Sequence, residues 1–161
     1  MSADNVAERL GALLVERDLT LCTAESCTGG LAASIITDVP GSSRYFLGSI
    51  VAYANQAKID LLGVPPSLLN TFGAVSAPVA LAMARGARKA FEAKASLAIT
   101  GIAGPTGGTA EKPVGLVYIA IVAPGYAACH RFIFAHDRAG NKRHSALTAL
   151  SLLIQTLSPG S

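Results

Sequence analysis

Charge is scarce in this sequence. Asp, Glu, Lys and Arg together make up 14% of 161 residues, against 51% hydrophobic. So apolar a composition excludes disorder and predicts a well-buried sheet, and the length suits one domain, residues 1–161, with a sizeable core. No apolar run approaches the ~18 residues of a membrane span. The start, Met1-Ser2-Ala3-Asp4-Asn5, has neither a basic region nor an apolar signal segment. A soluble, cytoplasmic protein without a membrane partner is expected. Net charge is only +3, and Lys and Arg are scattered except at Arg85/Arg88/Lys89 and Arg138/Lys142/Arg143. That is too weak for a nucleic-acid footprint but sufficient for one anionic small molecule. Cysteine is also sparse: Cys22, Cys27 and Cys129 are an odd number without metal-ligand spacing, which suits a reducing compartment and predicts no metal site. Repeats, linkers and low-complexity segments are lacking.

What is there gathers around Thr23-Ala24-Glu25-Ser26-Cys27-Thr28-Gly29-Gly30. Leu19 to Thr23 reads as a short strand, and Leu31, Ile35 and Ile36 recur at helical spacing, so the octet is a strand-to-helix turn. Such a turn presents unpaired N–H groups and the positive end of a helix dipole. Ser26 and Thr28 add hydroxyls, while Gly29-Gly30 permits close approach to the backbone. Taken alone, the hydroxyls read more readily as helix caps than as reacting groups, and it is the rest of the chain that reverses this. Elsewhere the pattern predicts a first helix around Val6, Leu10 and Leu14, capped by Ser2 or Asp4, and a buried strand from Tyr45 to Tyr53. A short helix from Asn55 to Leu62 follows, closed by Gly63 and not continued past Pro65-Pro66. Ser76 is expected to cap a helix containing Val79, Met83, Ala87 and Phe91. Strands follow at 97–102, 114–122 and 128–135, then a last helix through Leu147, Leu150, Ile154 and Leu157. The last two strands share so short a link that they must be antiparallel, whereas helices separate the earlier ones, which should be parallel. The expected fold is α/β: a three-layer α/β/α sandwich around a mixed sheet of about five strands.

Three loops leave parallel strands at their carboxyl ends: 25–30, 53–58 and 101–113. Such loops line one crevice in open α/β sheets. They bring a serine hydroxyl, a phenol with an amine, and a glycine-rich segment. That set suits acyl transfer, because a lysine of lowered pKa can take a serine proton in place of histidine. Ser26 is the candidate nucleophile, Lys58 the base, and Tyr53 a group that relays the proton or fixes the amine. Backbone donors after Ser26 or around Gly101 would hold the oxyanion. The bland alternatives are a solvated lysine and a core tyrosine. His130, His136 and His144 form neither a triad nor a metal site. The Gly104–Gly108 segment joins two strands and lacks the Lys-Ser/Thr of a phosphate loop.

Several stretches together resemble one family. These are the octet, Gly41-Ser42-Ser43, Tyr53 with Asn55-Gln56-Ala57-Lys58, and Gly73-Ala74-Val75-Ser76. Gly101-Ile102-Ala103-Gly104-Pro105 with Gly107-Gly108, and Lys112-Pro113-Val114-Gly115, complete the set. The chain is similar over nearly its whole length to the CinA C-terminal domain family. That resemblance implies an anticodon-binding-domain-like sheet with one strand antiparallel to the others. It also implies nicotinamide-nucleotide amidohydrolase activity: hydrolysis of the carboxamide of nicotinamide mononucleotide (NMN) to nicotinic acid mononucleotide and ammonia, in pyridine-nucleotide salvage and without a cofactor. By position, Ser26 matches the family's nucleophile, Lys58 its base and Tyr53 its assisting phenol. The substrate-lining positions are Thr28, Gly29, Gly30, Thr100, Gly101 and Gly104. The family's Gly-Asp-Arg, followed four positions on by arginine, here reads His136-Asp137-Arg138 with Lys142 and then Arg143. Arg138 is kept, Arg138 and Arg143 are the pair expected at the substrate phosphate, and the second cation stays open. The expected partners are the nucleotide substrate and further copies of the chain in a homo-oligomer. The alternative is a non-catalytic nucleotide- or partner-binding domain on the same scaffold.

Overall fold

Leu21–Glu25 (β1) lies near the centre of a five-stranded sheet and is buried along its whole length. In a computed structural model describing residues 2–160, the sheet order is β2-β1-β3-β4-β5, with β2 Phe46–Val51, β3 Ala95–Gly101, β4 Leu116–Ala123 and β5 Tyr126–Ile133. β1 pairs in parallel with β2 and β3, and β4 pairs antiparallel with β3 and with β5. β4 alone therefore runs against the other four. The fold is the mixed α/β sandwich that the sequence pattern implies.

Helices cover both faces of the sheet. On one face α1 (Ala3–Glu16), α2 (Leu31–Thr37) and α6 (Arg138–Leu157) bury Leu10, Leu14, Ile36, Leu150 and Ile154 against Leu21, Leu97 and Ile119. On the other, α3 (Asn55–Leu62), α4 (Pro66–Phe72) and α5 (Ala77–Phe91) pack Leu62, Val79 and Met83 against Cys22, Ala24 and Ala98. This double cover explains why β1 and β3 are buried on both sides instead of alternating. The Ala- and Gly-rich side of α5 permits close approach to α3: a Cβ on Gly86 would stand 1.8 Å from the Leu62 carbonyl oxygen.

Several sequence expectations shift. β2 is a half-exposed edge strand, shorter than 45–53, and not a buried one. β4 begins and ends slightly later than expected, and β5 runs 126–133 instead of 128–135. Pro65-Pro66 does end α3 but also starts α4, with Pro66 in the first turn, where its missing N–H costs nothing. Ser2 caps α1 by accepting from the Asn5 amide at 3.3 Å. Ser76 does not cap α5 through its side chain; its hydroxyl donates to the Gly73 carbonyl at 2.8 Å. No helix among the described residues is long and apolar enough to cross a membrane.

The site follows from two exits. After β1 the chain turns into α2 on one face, and after its neighbour β2 it turns into α3 on the opposite face. Where adjacent strands part in this way, a crevice opens at their carboxyl ends.

Candidate active site

Ser26 and Lys58 meet in that crevice. The Lys58 Nζ lies 2.9 Å from Ser26 Oγ, 2.9 Å from the Ala52 carbonyl oxygen and 3.0 Å from the Tyr53 carbonyl oxygen. Lysine in the first turns of a helix leans back toward the N-terminus, so α3 delivers the amine to the end of the strand it has just left. The side chain is 1% exposed. Desolvation pushes the Lys58 pKa below the ordinary lysine value. Asp60, close in sequence, is exposed and hydrogen-bonded to Gln56 at 2.9 Å.

An amine in this setting has a defined geometry. Two carbonyls take two of its N–H bonds, and the third tetrahedral direction points at Ser26 Oγ. In the neutral amine that direction is a lone pair, aimed at the proton the serine must lose.

The turn around Ser26 is held from several sides. Its N–H donates to the Ile99 carbonyl at 2.9 Å, and its own carbonyl accepts from Gly29 at 3.1 Å. The amides of Cys27 and Thr28 have no backbone acceptor among the described residues. Unpaired amides directly after the serine are the kind of donor an oxyanion needs. Gly29 and Gly30 have φ of +63° and +100°, so the turn requires their backbone freedom. The hydroxyl of Thr28 does not face the cleft; it donates to Glu25 at 2.7 Å. Neither Ser26 nor Thr28 caps α2. The carboxylate of Glu25 does, accepting from the Ala32 and Ala33 amides at 2.9 and 3.0 Å. Glu25 is the residue that reasoning about hydroxyls overlooked.

A cleft of about 330 Å³ opens above the pair, lined by Ser26, Cys27, Tyr53, Asn55, Lys58, Thr100 and the 101–107 segment, with Arg138 at its rim. Thr100 is buried and donates to the Ala74 carbonyl at 2.9 Å. Gly101 packs where a Cβ would stand 2.7 Å from the Leu116 carbonyl oxygen. Tyr53 is 63% exposed, and its phenol accepts from Arg138 at 3.2 Å instead of touching the amine, which is fixed by the Tyr53 carbonyl. A second N–H of Arg138 donates to the Gly104 carbonyl at 2.7 Å. Beyond Arg138 lies a cavity of about 750 Å³ walled by Ala103, Pro105, Val114, His136 and Lys142. Lys142, one helical turn after Arg138, sits with its amine 3.9 Å from where a Cβ on Gly29 would stand. Arg143 points elsewhere: it is exposed and lines neither the cleft nor this cavity. Of the two cations after Arg138, Lys142 shares a cavity wall with it and Arg143 does not. The ring of His136 stacks on that of His144 with centroids 4.0 Å apart. Among the described residues, no group of three or more His, Cys, Asp or Glu could hold a metal.

Cys27 stands next to the serine but is not a thiolate. Burial raises its pKa to about 11, as it raises those of Cys22 and Cys129 to about 12 and about 11. Cys27→Ser should keep activity within about threefold of wild type, since a protonated buried thiol contributes packing and not nucleophilicity. Complete loss, measured as product formation per folded molecule, would make the thiol the reacting group.

An open mixed α/β sheet with a serine–lysine pair at the carboxyl ends of its parallel strands is the class that fold and site define. The chain belongs to the CinA C-terminal domain family, whose sequence pattern matches residues 3–157. A CinA-like protein of Desulforapulum autotrophicum is 50% identical over 91% of this chain and 35% of its own length. The chain thus spans about a third of the length of that curated relative. Among solved structures, the competence/damage inducible protein CihA of Agrobacterium tumefaciens is similar with a TM-score of 0.94 and 41% identity, covering 98% of this chain and 100% of that one. A CinA superfamily protein of Escherichia coli matches with a TM-score of 0.93 and 34% identity, covering 96% and 90%.

Proposed function

We propose that the chain is a serine amidohydrolase acting on nicotinamide mononucleotide, giving nicotinic acid mononucleotide and ammonia. The observation that carries this reading is the 2.9 Å contact between Ser26 Oγ and the buried Lys58 amine. A binding module has no use for a buried amine aimed at a hydroxyl, so the contact favours catalysis over a purely binding role.

In the first step the Ser26 hydroxyl proton passes to Lys58 Nζ as Oγ attacks the carboxamide carbon. The carbonyl oxygen becomes an oxyanion held by the Cys27 and Thr28 amides. When the tetrahedral species collapses, the C–N bond breaks and Lys58 returns the proton to the departing nitrogen, which leaves as ammonia. Water then attacks the acyl-enzyme, giving up a proton to Lys58, and the C–Oγ bond breaks to release the acid and restore the serine. Lys58 thus acts as base and then acid in each half-reaction, with Ala52 and Tyr53 carbonyls keeping it in place. The small cleft suits the pyridine ring, and the ribose phosphate extends toward Arg138 and Lys142. Arg138 keeps free N–H groups for a phosphate, since only some of its donors are committed to Gly104 and Tyr53.

The test is ammonia release by purified protein from nicotinamide mononucleotide, run beside nicotinamide riboside and free nicotinamide. Preference for the mononucleotide is expected, and ammonia from none of the three would end this reading. Arg138→Ala should raise KM for the mononucleotide by about 10-fold or more, because a hydrogen bond to a charged group is worth about 1.5–3 kcal/mol. The riboside KM should barely change. Equal changes for both substrates would place Arg138 in the architecture of the rim and not at the phosphate.

A further inference from the structure

Glu25 is completely buried, and no Lys, Arg or His pairs with it among the described residues. A buried carboxylate without a cation is costly unless hydrogen bonds replace its hydration. Those bonds are present. One oxygen accepts from the Thr28 hydroxyl at 2.7 Å and the Ala32 amide at 2.9 Å. The other accepts from the Ala33 amide at 3.0 Å, the Thr23 hydroxyl at 3.3 Å and the Ser49 hydroxyl at 3.4 Å. A Ser or Asp at the start of α2 would cap that helix without burying a charge so deeply. Instead α2 starts from Gly30, which has no side chain, and is capped by the residue immediately before Ser26.

We propose that Glu25 is a positioning residue for Ser26. Its carboxylate closes the 26–30 turn into a loop fastened at both ends, to β1 through its own backbone and to α2 through its side chain. By occupying the amides of Ala32 and Ala33 it leaves those of Cys27 and Thr28 as the donors for the oxyanion. The same residue reaches the base from its other side. The Glu25 carbonyl accepts from the Ala52 amide at 2.9 Å, and the carbonyl of Ala52 is one of the two that hold Lys58. Nucleophile, oxyanion donors and base therefore share one anchor. The proposal rests on Ser26 being the nucleophile.

Glu25→Gln tests it. The side chain keeps its shape, but in either orientation its NH2 group meets a backbone N–H, of Ala32 or of Ala33, which cannot turn away. The turn must shift. A displacement of this kind should lower kcat for ammonia release from nicotinamide mononucleotide by about 10- to 100-fold. KM should stay within about twofold, as expected when only the transition state loses stabilisation. The crystal structure of the variant should show Ser26 Oγ drawn away from Lys58 Nζ. A purely structural role would lower the melting temperature while leaving kcat per folded molecule and the Ser26–Lys58 contact unchanged, and that result overturns the proposal. If Glu25→Gln does not fold, Thr28→Val, which removes the shortest of the five bonds, is judged by the same two readouts with a smaller expected loss of kcat. If the wild-type protein releases no ammonia, the amidohydrolase reading fails, and the variant crystal structure alone decides: a contact kept near its original length refutes positioning, and a broken one supports it.

Discussion

Ser26→Ala should reduce ammonia release from nicotinamide mononucleotide by at least about 1000-fold, the scale on which loss of a nucleophile acts in hydrolases of this kind. Little else should change. The Ser26 amide keeps its bond to Ile99, α2 keeps its cap on Glu25, and Lys58 keeps both carbonyl acceptors. Loss of the hydroxyl costs one hydrogen bond, about 1 kcal/mol, which for a domain of this size lowers Tm by about 2–4 °C. Binding of the mononucleotide, measured by calorimetry, should remain close to wild type, because the hydroxyl contributes chiefly once the C–Oγ bond begins to form. The variant also separates covalent from direct hydrolysis. Were Lys58 to activate water directly, Ser26→Ala would retain substantial turnover, and hydroxylamine added to the wild-type reaction would trap no acyl-enzyme. A trapped hydroxamate together with an inactive alanine variant is the expected pair of results.

How far the sequence foretold this site depends on the reach of each local signal. The octet was legible because a strand period gives way to a helical one there, and both sides formed as expected. α3 was legible to its ends, since Gly63 closes it with φ of +65°. Lys58 is buried in the crevice as its proposed role as base required, but not by the apolar residues that flank it in sequence. Of its apolar sequence neighbours, Leu61 is exposed; the amine is buried because it folds back toward the strand end, a tertiary fact. The role of Glu25 was hidden by expectation, as glutamate is seldom buried without a charge partner. The signal that could have found it is its place at the end of a strand otherwise apolar apart from Thr23, directly before the turn. Lys142, in contrast, was within reach of sequence reasoning: it lies one helical turn from Arg138 on a face they share, whereas Arg143 is about 100° further round. Tyr53 divides in two. It does lie beside Lys58, but its carbonyl meets the amine and its phenol meets Arg138.

The rate should rise with pH through one ionisation and then level off, because only the neutral form of Lys58 can accept the Ser26 proton. The ordinary lysine value is about 10.4. Desolvation in the crevice lowers it, while hydrogen bonding to two carbonyls keeps the amine aligned in both protonation states. The midpoint of the kcat/KM profile should accordingly fall below the ordinary lysine range. Stability carries the same signature. Between the lowered folded value and the ordinary unfolded one, the unfolded chain binds the extra proton, so folding stability gains with rising pH across that window. Below the folded value the cost of burying the ammonium is present in full. Compared with Lys58→Met, wild-type protein should therefore become relatively more stable as pH rises, a trend that melting curves at several pH values would read directly. Lys58→Arg should be nearly as inactive as Lys58→Met, since guanidinium stays protonated and cannot serve as a base. An active arginine variant, or a rate independent of pH across the neutral and alkaline range, would reduce Lys58 to a fixed positive charge beside the serine and require a different proton acceptor.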